Sequence, residues 1–240
     1  MLLSLPPTKE HFAQILDLFQ AWEDTDVKTL GLLYAEEHLL DWDDRTRSTT
    51  STVCWPEFPE GEPTVFFSLI RDFTLVQRWT WPSTIKKLVS FPQLETLRIL
   101  SLDSTELEDE GAKTLAASPY LKNLHSLTLT PFSGEVDSVD AIAFEGAIAL
   151  ADSPYLSNLS TLILRGNCIK RRGAKAIARS PHLEGLETLD LCENDIEDEG
   201  CIAIANSKTL SKLRYLHLRK NNIGPKGVTE LSLSENVTNL

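Results

Sequence analysis

The stretch 159–185, LSTLILRGNCIKRRGAKAIARSPHLEG, defines a unit of 27 residues that the following sequence repeats twice. Self-similarity at a fixed period of about 20 to 50 residues is typical of solenoid proteins. The recurring positions are Leu159, Leu162, Leu164, Asn167, Ile169 and Gly173, then Leu186, Leu189, Leu191, Asn194, Ile196 and Gly200, then Leu213, Leu216, Leu218, Asn221, Ile223 and Gly227.

The repeats extend toward the N-terminus. Further units begin at Leu97 and Leu124, and the second of these has 8 extra residues within 131–141. A weaker copy begins at Ile70, where Arg78 and Thr84 stand in place of the asparagine and the glycine. Because terminal repeats are commonly degenerate, the sequence predicts one degenerate repeat followed by five repeats over residues 66–240.

The pattern LxxLxLxxNxI predicts a short strand whose alternate leucines point inward. Each asparagine can satisfy backbone groups where the chain leaves the strand, so Asn167, Asn194 and Asn221 are expected to form a structural ladder. After the glycine, small apolar residues at helical spacing predict a helix, ended by Pro119, Pro154 or Pro181. The predicted fold class is therefore an α/β solenoid, a curved horseshoe with a parallel sheet on the concave face and helices on the convex face.

Residues 1–65 are predicted to form an N-terminal helical capping region and a loop. Apolar residues at helical spacing indicate one helix from Thr8, as N-cap, to about Ala21, and a second from about Asp26 to Leu40. The polar stretch 43–52 and the proline-rich stretch 54–63 both predict loop.

The net charge of −12 and the pI of about 4.9 argue against a nucleic-acid-binding protein, because phosphate contacts need basic surface. The N-terminal sequence lacks the basic segment of a signal peptide, and no apolar run approaches the length that spans a bilayer. The four cysteines lack CxxC spacing, which favours reduced thiols over a zinc site or a disulfide framework. We therefore expect a cytoplasmic protein without metal, cofactor or membrane partner.

The segments LETLDLCENDIEDEG (186–200) and GAKTLAASPYLKNLHSLTL (111–129) resemble leucine-rich repeats of the ribonuclease-inhibitor type. The recurring unit G-A-x-x-[IL]-A-x-S-P-x-L-x-x-L is similar to the repeats of a family of bacterial leucine-rich-repeat proteins. The resemblance implies protein–protein recognition on the concave or ascending-loop surface, usually without catalysis.

The residues that flank the strand leucines are predicted to line the concave face, and they become large and amphipathic in the later repeats. Such side chains dominate binding hot spots. We define a C-terminal concave patch, predicted to bind the partner, as Tyr215, His217, Arg219, Arg165, Asp190 and Ile163.

The stretch 167–175, NCIKRRGAK, is predicted to be a basic loop, with Lys170, Arg171, Arg172 and Lys175. These cations could meet an acidic partner or a phosphate. The next repeat has five carboxylates between Glu193 and Glu199, so pairing between repeats is the favoured interpretation.

The favoured function is a non-catalytic protein-interaction scaffold with an unidentified protein partner. The alternative is an acidic, stoichiometric inhibitor of a basic enzyme, and a third hypothesis places enzyme chemistry in residues 1–65. The five histidines are scattered and predict no catalytic residues. An open C-terminal repeat also suggests self-association.

Overall fold

The computed structural model describes residues 6–21, 25–51, 69–76, 82–131 and 141–236. Within these ranges, seven strands form one sheet, and each strand pairs in parallel with the next one along the chain. The strands are β1 (Ser48–Ser51), β2 (Asp72–Val76), β3 (Ile99–Thr105), β4 (Ser126–Pro131), β5 (Thr161–Ile163), β6 (Thr188–Asp190) and β7 (Tyr215–His217).

The α-helices alternate with the strands from β2 onward, and consecutive helices from α3 to α8 pack on one another. This arrangement confirms the α/β solenoid. The helices are α1 (Lys9–Ala21), α2 (Thr25–His38), α3 (Pro82–Leu88), α4 (Glu108–Ala116), α5 (Phe144–Ala151), α6 (Lys170–Arg179), α7 (Glu197–Ala205) and α8 (Pro225–Ser232).

The repeat leucines form the continuous core that the period predicts. Leu100, Leu127, Leu162 and Leu189 lie at matching positions of adjacent strands, and each is buried. The degenerate first repeat contributes in the same way, because Phe73 and the helix-face residues that follow it are also buried. Burial of this kind is the main stabilising term for a stack in which each repeat contacts only its neighbours.

The asparagines connect each repeat to the one before it. The Asn194 Nδ2 donates to the carbonyls of Leu164 (2.8 Å) and Cys192 (2.9 Å), while its Oδ1 accepts from the Ile169 N–H (3.4 Å). Asn167 and Asn221 make the equivalent bonds in their repeats. Each side chain thereby satisfies buried backbone groups that have left the sheet ladder.

Strand length follows the presence of the asparagine. β5, β6 and β7 have three residues each, whereas β3 has seven and continues through Thr105, the residue at the asparagine position. A threonine hydroxyl cannot replace both the donor and the acceptor of an amide. Backbone pairing therefore extends where the ladder is missing, with an irregular register between Asp103 and Thr105.

Helices α4, α5 and α6 end before Pro119, Pro154 and Pro181, as predicted. The serine before each of these prolines makes a bond that the sequence pattern did not reveal, and so do Ser207 and Ser234 at the same position of the later repeats. Each hydroxyl donates to a carbonyl at the end of the preceding helical segment, and the pairs are Ser118 to Val89, Ser153 to Ala116, Ser180 to Ala151, Ser207 to Ala178 and Ser234 to Ala205.

The N-terminal helices pack into the same core through Phe12, Ile15 and Leu39. The helix α1 begins as predicted, because the Thr8 Oγ1 accepts a hydrogen bond from the His11 N–H (3.1 Å). The boundary at residue 65 between a capping region and a repeat domain remains a proposal.

The prediction that residues 43–52 form a loop is wrong over Ser48–Ser51, which form the strand β1. The stretch has no alternating apolar residues that would indicate a strand. It is the first strand of the sheet, and its backbone pairing with β2 defines it. Just before it, the buried Arg47 donates from Nε to the Leu69 carbonyl (2.8 Å) and from Nη1 to the Leu39 carbonyl (3.2 Å). These bonds tie the end of α2 to the sheet, and burial lowers the pKa of Arg47 to about 10.

Three sequence predictions lie outside the described residues. They concern the proline-rich loop 54–63, Arg78 in the degenerate repeat, and most of the insertion within 131–141.

Candidate functional site

The sheet face opposite the helices, here called the concave face, presents side chains in two aligned columns. The strand register places Thr188 beside Tyr215 and Asp190 beside His217. The first column is Ile99, Ser126, Thr161, Thr188 and Tyr215, and the second is Ser101, Thr128, Ile163, Asp190 and His217.

The character of these columns changes along the solenoid. The central strands contribute half-buried threonines and serines, and Ile163 is also half-buried. At the last strand, Tyr215 exposes 61% of its surface, and His217 and Arg219 are exposed as well. A large aromatic ring beside a histidine and a guanidinium is the composition that protein interfaces favour.

Glu193 lies beside the predicted patch and pairs with two cations from neighbouring repeats. Its Oε1 is 2.9 Å from the Arg165 Nη2 and its Oε2 is 3.1 Å from the Lys220 Nζ. The hydrogen bond from Lys220 lowers the pKa of Glu193 most, and the hydrogen bond from Arg165 lowers it further. The contact with Glu193 in turn raises the pKa of Arg165. Arg165 is therefore held in place, while about half of its side chain remains exposed (54%).

Glu193 was not part of the predicted concave patch because it lies in the turn after the strand, outside the columns. The sequence did predict that it pairs with a neighbouring repeat, and Lys220 follows it by one repeat period of 27 residues. Glu193 itself has a φ of +60°, a backbone conformation that side-chain-bearing residues rarely adopt. The structure thus identifies an ion-paired triad, Arg165, Glu193 and Lys220, at the edge of the concave face.

Asp190 and Cys192 lie close together on β6 and the turn that follows it. The Asp190 Oδ1 accepts a hydrogen bond from the Cys192 N–H (2.8 Å). Cys192 is buried, and its burial, followed by a hydrogen bond to Asp190, raises the pKa of the thiol. The thiol is therefore kept protonated and away from the concave surface.

The loop prediction is wrong for the basic residues, because Lys170 to Lys175 lie in the first turns of α6. Their side chains are engaged within the solenoid, as the favoured interpretation predicted. Arg171 pairs with Glu197 (3.2 Å), and Lys175 pairs with Glu199 (2.5 Å). The guanidinium of Arg172 lies over the Phe144 ring, 4.3 Å from the ring centroid. The prediction of charge pairing between repeats is confirmed for Arg171 and Lys175.

The exposed side of α2 contains Tyr34, Glu37 and His38. The His38 Nδ1 bonds to the Tyr34 carbonyl (2.8 Å), and the two rings lie 3.9 Å apart between centroids. Within the described ranges, no three His, Cys, Asp or Glu side chains are grouped so that they could hold a metal ion. None of the described helices has both the length and the apolar character needed to cross a membrane.

Comparison with known proteins identifies the kind of repeat that builds this fold. The family model described as Leucine Rich repeat matches residues 93–116, 155–178, 185–205 and 209–236. These segments contribute strands and helices to the solenoid, so the fold is an α/β leucine-rich-repeat solenoid.

Other comparisons add little. No curated protein matches the sequence significantly. Among solved structures, an internalin from Listeria monocytogenes is 14% identical over 69% of this chain, with a TM-score of 0.32. The match spans 53% of that chain, about half its length.

Proposed function

We propose that this protein is a non-catalytic scaffold that binds a protein partner through its concave face and the adjacent loops. Leucine-rich-repeat solenoids in general present extended binding surfaces of this kind. The observation that supports the proposal most is the exposed Tyr215 beside exposed His217 and Arg219 at the end of two aligned columns.

The C-terminal concave patch combines apolar, aromatic and charged side chains. Ile163 and Tyr215 provide apolar and aromatic surface, while Asp190 and His217 lie next to each other in the second column. Arg165 adds a guanidinium whose position is fixed by Glu193. A guanidinium held in one geometry loses less side-chain entropy on binding than a free one, which favours its use in recognition.

The test is affinity capture from the native cell extract with the full chain, followed by mass spectrometry. The affinity of each captured protein is then measured for the wild-type chain and for the variants Tyr215→Ala and Ile163→Asp. Arg179→Ala, on the exposed surface of α6, is the matched control. We expect Tyr215→Ala to weaken binding by about 2 kcal/mol, or about 30-fold in Kd. Unchanged affinity in both concave variants would reject the patch.

The second candidate is a stoichiometric inhibitor of a basic enzyme, in line with the resemblance to ribonuclease-inhibitor repeats. It is favoured by the exposed carboxylates Glu108 and Glu110 at the start of α4. Asp109 between them is engaged, because its Oδ1 accepts hydrogen bonds from the Ala143 and Gly146 N–H groups. Tight, salt-sensitive inhibition of a basic enzyme that Glu108→Gln and Glu110→Gln abolish would favour this candidate over the first.

We also propose a bacterial, cytoplasmic setting, without nucleic acid or membrane as partner. Cys168, Cys192 and Cys201 are buried free thiols, which suits a reducing compartment.

A further inference from the structure

Three arginines occupy the same position at the start of the first three strands. Arg47, Arg71 and Arg98 are the residues immediately before β1, β2 and β3. The Arg71 N–H donates to the Arg47 carbonyl (2.9 Å), and the Arg98 N–H donates to the Arg71 carbonyl (2.8 Å). Their backbones are therefore held one strand spacing apart, about 4.8 Å. We call these three residues the arginine column.

The side chains of the column follow one edge of the sheet, where the chain enters each strand. The Arg47 Nε donates to the Leu69 carbonyl (2.8 Å), and the Arg98 Nη1 donates to the Asn123 carbonyl (3.3 Å). Leu69 and Asn123 hold equivalent positions, each three residues before the next strand begins. The guanidinium groups of Arg47 and Arg98 thus leave the sheet in the same direction, and Arg71 lies between them in the register.

Arg47 has a hydrogen-bond donor that the described residues do not satisfy. The residue is 2% exposed, and its Nε and Nη1 donate to the Leu69 and Leu39 carbonyls. Among the described residues, its Nη2 is buried and has no acceptor. Buried polar groups are nearly always hydrogen-bonded, so an orphaned donor points to a bound acceptor. Beside two further guanidinium groups, an anion is the acceptor that the charges favour.

The column has more positive charge than the described carboxylates around it neutralise. Neither Arg47 nor Arg98 forms an ion pair with another described residue. Burial, and then the charge of Arg71, lower the pKa of Arg47 to about 10, while burial and then the charge of Arg98 lower the pKa of Arg71. Asp44 and Glu36 act on Arg47 and Arg71 in the opposite direction, which leaves three cations against two carboxylates.

The repeat backbone does not itself require arginine at this position. The equivalent residues of the later strands are His125, Ser160, Glu187 and Arg214, and each donates its N–H to the carbonyl of the one before it. Arg214 has Glu187 as its neighbour in the register. Since like charges in neighbouring strands repel, three consecutive arginines need a reason beyond backbone geometry, and a bound anion provides one.

We propose that the arginine column binds a phosphate group, either the free anion or a phosphate monoester. A guanidinium group binds an oxyanion through two parallel N–H donors. The two oxygens of a carboxylate satisfy one such fork, whereas the oxygens of a phosphate can satisfy two neighbouring forks. Arg71 and Arg98 are half-buried, so both present surface to solvent. The site lies at β1 to β3 and the C-terminal concave patch lies at β5 to β7, so the inference does not depend on the proposed function.

A nucleic-acid strand fits the column less well than a single phosphate group. Binding a polynucleotide takes a longer row of cations and aromatic groups on which bases stack. The positions that continue the column are His125, Ser160 and Glu187, so the row of guanidinium groups ends after three.

Isothermal titration calorimetry on the full chain measures the affinity for two phosphate probes, inorganic phosphate and O-phosphoserine. Both are titrated at about pH 7.5, where a phosphate monoester is mostly dianionic. Acetate at the same ionic strength is the control anion. We expect saturable binding of at least one phosphate probe, and binding of acetate at least about tenfold weaker. Tighter binding of inorganic phosphate assigns the site to the free anion, and tighter binding of phosphoserine assigns it to a monoester.

Four variants locate the binding site. Arg98→Gln should weaken phosphate binding at least about tenfold, because it removes one guanidinium group from a half-buried position. Arg98→Lys should lose part of the affinity, since an ammonium group keeps the charge but lacks the fork. Arg214→Gln, at the same position of β7, is the matched control and should leave the affinity unchanged. Asp44→Asn should strengthen binding about two- to fivefold, because it removes an exposed carboxylate that acts on both Arg47 and Arg71.

Four results would overturn the inference. They are no saturable binding of either phosphate probe, equal binding of acetate, an affinity that Arg98→Gln leaves unchanged or that Arg214→Gln lowers equally, and Arg98-dependent binding of a single-stranded oligonucleotide that neither phosphate probe displaces. Circular dichroism checks that each variant is folded. If Arg98→Gln does not fold, Asp44→Asn decides, and phosphate binding that this variant leaves unchanged or weakens overturns the inference.

Discussion

The asparagine ladder makes a quantitative prediction at Asn194, whose side chain is fully buried. Replacing it by alanine removes two donated hydrogen bonds, to the carbonyls of Leu164 and Cys192, and one accepted bond, from the Ile169 N–H. The Leu164 carbonyl still accepts a hydrogen bond from the Asn167 amide, and the Cys192 carbonyl still accepts one from a backbone N–H. Only the Ile169 N–H loses its side-chain acceptor within the core.

The expected loss of stability depends on which groups keep a hydrogen-bond partner. Each lost bond to a carbonyl that keeps another donor costs about 0.5 to 1.5 kcal/mol, and the buried N–H left without its acceptor costs about 1 to 3 kcal/mol. Asn194→Ala should therefore lower the free energy of unfolding by about 2 to 6 kcal/mol. Asn194→Asp should lower it further at neutral pH, because a carboxylate oxygen would face the two carbonyl oxygens in a buried site.

Urea unfolding followed by circular dichroism at 222 nm measures the change. Asn206→Ala is the matched control, because Asn206 is exposed at the end of α7 and should change stability by less than about 0.5 kcal/mol. A loss below about 1 kcal/mol for Asn194→Ala, or a more stable Asn194→Asp than Asn194→Ala, would refute the assigned role of the ladder.

Three further predictions concern packing, the serine bonds and pH. Gly173→Ala should destabilise by about 1 to 3 kcal/mol, because its Cβ would lie 2.3 Å from the Ile169 Cγ2; an unchanged thermal midpoint would contradict this. Ser207→Ala should cost about 1 to 3 kcal/mol in urea unfolding, against little change for the exposed Ser157→Ala; equal losses would argue against the serine bond. The pKa of Glu193 is lowered in the folded state, so its ion pairs stabilise the fold above the unfolded pKa of 4.5, and this stabilisation is lost as the pH falls. Glu193→Gln should therefore flatten the dependence of stability on pH between about pH 5 and pH 3. A dependence parallel to that of the wild type would exclude the effect.

The fold was predictable from the sequence because one period determines strand, turn and helix together. The leucines mark the inward positions of each strand, and the glycine marks where helix and neighbouring repeat approach closely. At Gly173, for example, an added Cβ would lie 2.9 Å from the Ala147 Cβ of the adjacent helix. Such contacts repeat at each period, so the signal accumulates along the chain.

The first strand and the serine bonds were not predictable in this way. Ser48–Ser51 has no alternating apolar residues. Its pairing depends on the backbone of β2 rather than on its own side chains, so the sequence gives no strand signal there. The serine of each S-P pair resembled ordinary helix-ending chemistry. Its acceptor lies far away in the sequence, 29 residues earlier for Ser118 and 37 residues earlier for Ser153. A contact made across repeats leaves no local pattern to detect.

The candidate site was predictable in position but not in its electrostatics. Register alone placed Tyr215 and His217 on the concave face. The pairing of Arg165 with Glu193 depends on a turn with positive φ, and the burial of Cys192 depends on how that turn folds over the strand end. Turn conformation is set by local backbone energetics that the leucine period does not encode.

The serine hydroxyls and the ladder asparagine Nδ2 groups that bond between repeats all donate in the same direction. From Ser118 to Ser234, each hydroxyl donates backward to the helical segment before it, and the Asn194 Nδ2 likewise reaches back to Leu164. A repeat gained or lost on the C-terminal side of a given repeat therefore leaves its serine and asparagine donors with their acceptors. A repeat removed from the middle would separate these donors from their acceptors, so changes in repeat number should be tolerated best on the C-terminal side of the described repeats.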